Sequence, residues 1–233
     1  MTHIMKYKHS FTFLSVMIAA WVLGTFAFIQ FSMQPIVNNL QQLLTYLSVI
    51  VVVWVAGTFA LIYFWPRLML YGIKRVLTQR SVDANSSSGV PINTLYAVPN
   101  RASPLATSKI LTTGTDDVLY VFGWLELSKG PQVLHVPDFS GRYYSVQFTD
   151  SSDGAAFAYV GTRTTGTQAG DYLITGLGWK GQMPSGMTQI SSPNNSVLVI
   201  GRVLVESDND LSTAYGLAKQ IQLTPLSHWQ PGQ

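Results

Sequence analysis

Two stretches of this chain, residues 11–33 and 43–65, each run 23 residues without one Asp, Glu, Lys or Arg. At a rise of about 1.5 Å per residue, either one crosses a hydrocarbon core of about 30 Å as an α-helix. They predict two transmembrane helices. A cleaved signal peptide explains the first less well, because its apolar region runs only about 7 to 15 residues. The two stretches also resemble each other: Trp21-Val-Leu-Gly-Thr-Phe-Ala-Phe-Ile-Gln-Phe31 shares 8 of 11 positions with Trp54-Val-Ala-Gly-Thr-Phe-Ala-Leu-Ile-Tyr-Phe64. Consecutive spans run antiparallel, so such copies would face opposite leaflets. Gly24 and Gly57 are small positions where a neighbouring helix can approach closely, with Thr25 and Thr58 beside them to hydrogen-bond across the contact.

Flanking charges set the expected orientation. Lys6 and Lys8 precede the first span, the connection 34–42 is uncharged, and Arg67, Lys74, Arg75 and Arg80 follow the second. The positive-inside rule puts both termini in the cytoplasm. Trp65 and Tyr63 suit the membrane interface, and Pro66 is expected to end the apolar core of the helix or to kink it.

Composition changes after the membrane segment. From Gly72 to the C-terminus there are 11 basic and 11 acidic residues, so this part is electrically neutral. That balance argues against a nucleic-acid surface. The chain has no cysteine, which excludes disulfides and cysteine-ligated metals. The expected organisation is a membrane anchor over 1–80, a Ser-, Asn- and Pro-rich linker over 81–104, and a β-rich domain over 105–233. Seven short runs of β-branched and aromatic residues, 118–127, 132–136, 142–150, 155–161, 171–175, 187–190 and 197–205, read as strands of a sandwich or barrel. One helical face follows, Leu211, Ala214, Tyr215, Ala218 and Ile221, with Asp210 as its expected N-cap. The end, 224–229, reads as an extended tail.

The run Leu125-Glu-Leu-Ser-Lys-Gly-Pro-Gln-Val-Leu-His-Val-Pro-Asp138, then Gly141-Arg-Tyr-Tyr-Ser-Val-Gln-Phe-Thr-Asp150, resembles the bacterial family called domain of unknown function 1254. Tyr159-Val-Gly-Thr-Arg-Thr-Thr-Gly-Thr-Gln-Ala-Gly-Asp-Tyr172, Gly178-Trp-Lys-Gly181, Ile200-Gly-Arg202 and Leu223-Thr-Pro-Leu226 continue the likeness. The resemblance implies an exported bacterial β-rich fold, in relatives often followed by a second β domain, family 1214; the expectation here is the first domain without the second. Where the family tends to read Asn-x-Asp-Thr-Leu-Tyr, this chain has Thr115-Asp-Asp-Val-Leu-Tyr120. The resemblance implies fold and little chemistry.

The chemistry must therefore come from the residues. The Gly- and Thr-rich segment 161–170 lacks the Gly-Lys-Ser/Thr ending of a phosphate loop and reads as a hairpin or Ω-type loop. Asp116, Asp117, Asp138, Asp150 and Asp153 could serve as acid, base or hard-metal ligands, but most lie beside Gly or Ser and suit Asx turns better. His135 and His228 have no paired spacing, so no metal site and no cofactor is expected. No Gly-x-Ser-x-Gly elbow is present. The best ligand-binding candidates are Tyr120, Arg142, Tyr144, Tyr159, Arg163 and Arg202: arginine forks onto carboxylate or phosphate, and tyrosine gives a rigid wall tipped by a hydroxyl. The competing structural role pairs Arg142 and Arg202 with carboxylates such as Asp138 and Glu206 at strand ends.

The expectation is an integral protein of a bacterial inner membrane, its β domain a non-catalytic accessory or scaffold subunit with membrane-protein partners or further copies of itself. The flanking charges favour a cytoplasmic domain and the resemblance an exported one. The alternative is a hydrolase- or lyase-like enzyme on a polar or carbohydrate substrate, using the Arg/Tyr pocket and an acid such as Asp117.

Overall fold

The computed structural model of the chain describes residues 22, 24–26, 40–79, 89–101, 115 and 117–230. It divides into two compact units, Met1–Ile62 and Tyr63–Gln233. The first expected span, 11–33, lies outside the described residues except for positions 22 and 24–26, which are helical. The second is helix α1, Leu40–Gln79, the one described helix long and apolar enough to cross a membrane. No residue of α1 from Leu40 to Trp65 is buried, and Val52, Phe59 and Ile62 are 66%, 69% and 65% exposed. A helix of this length and composition could cross a membrane, where it would satisfy its own backbone. The threonines use their hydroxyls locally: Thr25 donates to Val22 O at 2.9 Å and Thr58 to Trp54 O at 2.8 Å. A Cβ built at Gly24 meets nothing within 4 Å.

Pro66 does not stop the helix, which continues to Gln79. Proline removes one backbone donor and disturbs the preceding turn. Here Arg67 Nη1 donates to the Tyr63 carbonyl at 3.0 Å, and its guanidinium lies 4.0 Å from the Tyr63 ring centroid. The turns beyond are held by packing, since Leu70 and Leu77 are buried.

The unit Tyr63–Gln233 carries two sheets. The first has the order β1 (Leu95–Ala97), β2 (Val118–Glu126), β8 (Ser196–Leu204), β4 (Tyr144–Asp150) and β5 (Ala156–Gly161), all antiparallel. The second has the order β7 (Thr188–Ser191), β6 (Gly170–Thr175), β3 (Gln132–Val136) and β9 (Gln222–Pro225), with β6 and β7 parallel. All seven expected runs contain a strand. Leu119, Val121, Val146, Phe148, Val199 and Val203 of the first sheet share one core with Leu134, Val136 and Ile174 of the second. Alternation puts every second residue into that core, as half-buried strands require.

Two strands were not expected. β1 lies inside the stretch read as linker; its Leu-Tyr-Ala carries just enough apolar surface to pair with β2, Tyr96 opposite Phe122. β9 forms the start of what was read as a tail, with Pro225 on the strand at the sheet edge, where a missing N–H costs no ladder bond. Helix α2, Leu211–Gln220, buries Ala214 and Ala218 in the core. Asp210 precedes it without capping it, because its carboxylate is engaged elsewhere.

The outer face of the first sheet has two halves. Val118, Tyr120, Phe122 and Trp124 of β2, with Leu198 of β8, form a cluster with Leu70 and Leu77 of α1, and Ile73 and Ile200 pack against it. Trp124 Nε1 donates to Ser196 Oγ at 2.8 Å, and the Val90 amide donates to Leu77 O at 2.8 Å. Burying leucines of this size contributes roughly 1.5–3 kcal/mol each. The β4–β5 half carries polar residues instead.

Candidate functional site

That polar half is built by register. Gln147 of β4 stands opposite Tyr159 of β5, and Ser145 stands opposite Gly161. Ser145 is also opposite Arg202 of β8, which in turn is opposite Tyr120 of β2. One row across the sheet therefore reads Gly161, Ser145, Arg202, Tyr120. Strands about 4.8 Å apart set these neighbours at contact distance. Tyr143 precedes β4 and Arg163 follows β5, with the Arg163 guanidinium 5.5 Å from the Tyr143 ring centroid. The Arg202 guanidinium lies 5.9 Å from the ring of Tyr120, whose other neighbour is the stacked Phe122 ring at 5.6 Å.

Together these residues line an open cleft of about 380 Å³, bounded by Tyr143, Ser145, Gln147, Tyr159, Arg163 and Arg202, with Thr164 at its rim. Gly161 lines it as well, and a Cβ there would come within 2.5 Å of the Tyr144 carbonyl oxygen on β4. Neither Arg163 nor Arg202 has a salt-bridge partner among the described residues. Gln147 Nε2 donates to Thr149 Oγ1 at 2.9 Å, and Thr164 Oγ1 to the Tyr159 carbonyl at 3.1 Å. Tyr159 is 46% exposed. No lining residue is Asp, Glu or His, so the cleft can hold an anion and offers no carboxylate or imidazole to move a proton.

Of the six residues singled out from sequence, Tyr159, Arg163 and Arg202 project to this cleft. Tyr120 belongs to the apolar cluster beneath α1 and touches the cleft through Arg202. Tyr144 points the other way: its side chain is fully buried and stacks on Phe139 at 4.0 Å, so it reaches the cleft only through its backbone. Burial pushes its phenol above the usual range, offset in part by the Thr165 hydroxyl.

Arg142 is tied down by structure. It donates to the Leu204 carbonyl at 2.8 Å and forks onto both Asp210 oxygens, with Nη2 to Oδ1 at 2.7 Å. The Arg142 hydrogen bond, with a backbone bond from Glu206, holds the Asp210 carboxyl down at about 2, and Asp210 holds the guanidinium above its ordinary value. Its carboxylate partner is Asp210 rather than Asp138 or Glu206, and the pair fastens the entrance of β4 to the start of α2.

The other candidates have local tasks. Asp138, Asp150 and Asp153 each accept from the amide two residues on, at 2.7, 2.7 and 2.8 Å, as Asx turns do. Asp116 lies outside the described residues, and Asp117 is exposed and not part of the cleft. His135 Nδ1 is 2.7 Å from Asp171, whose other oxygen accepts from Trp229 Nε1 at 3.1 Å; the three staple the outer side of the second sheet. The segment 161–170 carries the chain from one sheet to the other, so it is a crossing loop and no hairpin.

Ser145, Gln147 and Thr164 were missed. The signal for the first two was present: in Tyr143-Tyr-Ser-Val-Gln-Phe148 the apolar Val146 and Phe148 share the parity of Tyr144, which sends Tyr143, Ser145 and Gln147 to the opposite face. A second open hollow, of about 390 Å³, lies at the other sheet between Trp179, Lys129, Gln182 and Ser227.

The family model described as "Protein of unknown function (DUF1254)" matches residues 92–225. No curated protein matches the chain. Among solved structures, the VPA0106 protein from Vibrio parahaemolyticus is similar with a TM-score of 0.56 and 24% identity over 75% of this chain, which spans 40% of that protein. A putative uncharacterized protein from Burkholderia cenocepacia shares 11% identity at a TM-score of 0.35, over 59% of this chain and 36% of its own. The first likeness is one of fold.

Proposed function

The chain belongs to the family of proteins of unknown function DUF1254, and from that premise we propose that it is a membrane-anchored, non-catalytic β domain serving as an accessory or scaffold subunit of a larger membrane protein complex. The observation that carries this reading is the lining of two open hollows among the described residues of the domain. Neither contains a carboxylate or an imidazole, the groups that most often move protons near neutral pH. A hydrolase or lyase that works through a carboxylate or imidazole would need one beside Arg163 and Arg202, and Asp117, the acid expected for it, is not among the lining residues. Helix α1 supports the anchored part, since its exposed apolar length suits a bilayer and its last turns are packed into the domain's own cluster.

The reading puts the chain in a bacterial inner membrane, and the basic residues Arg67, Lys74, Arg75 and Arg80 support a cytoplasmic domain. Because the sequence has no cysteine, Gln168→Cys reports the side: a membrane-impermeant maleimide should label it only after the cells are opened. The test of the subunit role is solubilisation of native membranes in a mild neutral detergent, size-exclusion chromatography and mass spectrometry of the co-eluting proteins. A second polypeptide at fixed stoichiometry is the expected result; a lone chain contradicts it.

A further inference from the structure

We propose that the cleft over β4, β5 and β8 is a binding site for a small acidic sugar, a ring that carries hydroxyls and one carboxylate or phosphate group. The proposal goes beyond the subunit role and holds whether or not a partner chain is present.

Charge points to the anion. Arg163 and Arg202 line one cleft of about 380 Å³, and no acidic residue lines it with them. Elsewhere in the domain, cations near carboxylates take them: Arg142 holds Asp210, Lys74 lies 3.5 Å from Glu126, and Arg101 lies 3.1 Å from Asp208. The two cleft arginines instead lie 5.5 and 5.9 Å from the ring centroids of Tyr143 and Tyr120. A guanidinium positioned by a ring face keeps its in-plane N–H fork for a carboxylate or phosphate, which a lysine in the same place would not offer.

The remaining lining points to a hydroxylated ring. Tyr159, 46% exposed, offers an uncovered aromatic wall at the row next to the cations. Gln147 uses its amide N–H on Thr149, which leaves its carbonyl oxygen to accept from a ligand hydroxyl. Ser145 lies between them and Arg202, opposite Gly161, whose missing side chain lets β5 lie close against β4. The volume is at the small end of ordinary ligand pockets, about 300–1,000 Å³, as a single sugar ring requires.

The test is equilibrium binding to the full chain in a neutral, non-sugar detergent at low ionic strength, by calorimetry. The probes are glucuronate, glucose 6-phosphate, glucose and glycerol 1-phosphate. The expected result is binding of glucuronate or glucose 6-phosphate, weakened about tenfold or more by Arg163→Gln or Arg202→Gln, and lost in the double variant with an unchanged melting temperature. Tyr159→Ala should weaken the sugar anions and leave glycerol 1-phosphate unaffected. Equal binding of glucose and its anionic forms would overturn the role of the arginines. Glycerol 1-phosphate binding as tightly as glucose 6-phosphate would overturn the ring contact and leave a site for a bare phosphate such as a lipid headgroup carries. Absence of binding by both sugar anions would overturn the site itself, and would leave the subunit reading to be decided by co-elution alone.

Discussion

The two halves of the first sheet's outer face share one sheet and one pleat and have opposite fates. On β2, the residues that point outward are Val118, Tyr120, Phe122 and Trp124, and the chain covers them with Leu70, Ile73 and Leu77 of α1. On β4 and β5 the corresponding positions are Ser145, Gln147 and Tyr159, and they line the open cleft. An apolar row left in water would lose roughly 25 cal/mol for every Å² it failed to bury, so the first half needs its helix. The second half carries hydroxyl, amide and guanidinium groups that water satisfies, so it can stay open for a ligand. Arg202 on β8 sits at the seam, opposite Tyr120 on one side and Ser145 on the other. The lesson is that one sheet face can be covered by a helix on one half and left open and polar on the other, with a single strand as the border.

That comparison can be broken from either side. The largest effect is expected in the covered half: Leu77→Ala, at a position 1% exposed, should destabilise the domain by about 2–5 kcal/mol in thermal or denaturant unfolding followed by tryptophan fluorescence. Next comes Gly161→Ala, which drives a methyl to 2.5 Å from the Tyr144 carbonyl; a loss of about 1–3 kcal/mol and weaker ligand binding are expected together, because β4 must shift away from β5. A smaller effect marks the Arg142–Asp210 tie. The folded carboxyl is held at about 2, below its unfolded value of 3.8, so its contribution is complete above the unfolded value and is lost as pH falls toward 2. Asp210→Asn should flatten that part of the acid-unfolding curve, while the other carboxylates keep theirs. The smallest effect belongs to the open half: Arg202→Gln should change stability by no more than about 0.5 kcal/mol, since the guanidinium has no carboxylate partner among the described residues to lose.

Much of this was legible because period-2 alternation is written directly into the strands. In β4 the core-facing apolar and outward polar residues alternate, β8 is apolar nearly throughout with Arg202 as the exception, and both were placed from sequence to within two residues. β1 was hidden because three residues in a Ser-, Asn- and Pro-rich stretch carry too little pattern to stand out. β9 was hidden because Pro225 reads as a break, although at a sheet edge it is tolerated. Pro66 lies inside helix α1, and packing of Leu70 and Leu77 carries the helix beyond it. The cleft was half legible. Arg163, Arg202 and Tyr159 were chosen for their chemistry, and of the neighbouring Tyr143 and Tyr144, which alternation sends to opposite faces, the first lines the cleft and the second is buried. That Arg142 would find Asp210, 68 positions away, is a product of tertiary structure, and no local signal announces it.

The most direct test of the membrane-subunit role is the mass of the particle that carries this chain. Protein tagged at its chromosomal locus, taken from native membranes into mild detergent, is passed through size-exclusion chromatography with light scattering and mass spectrometry of the peak. The expected result is a protein mass well above the 25.6 kDa of one chain, with a second polypeptide at constant ratio across the peak. A peak containing this chain alone, at any multiple of its mass, would contradict the role of accessory subunit.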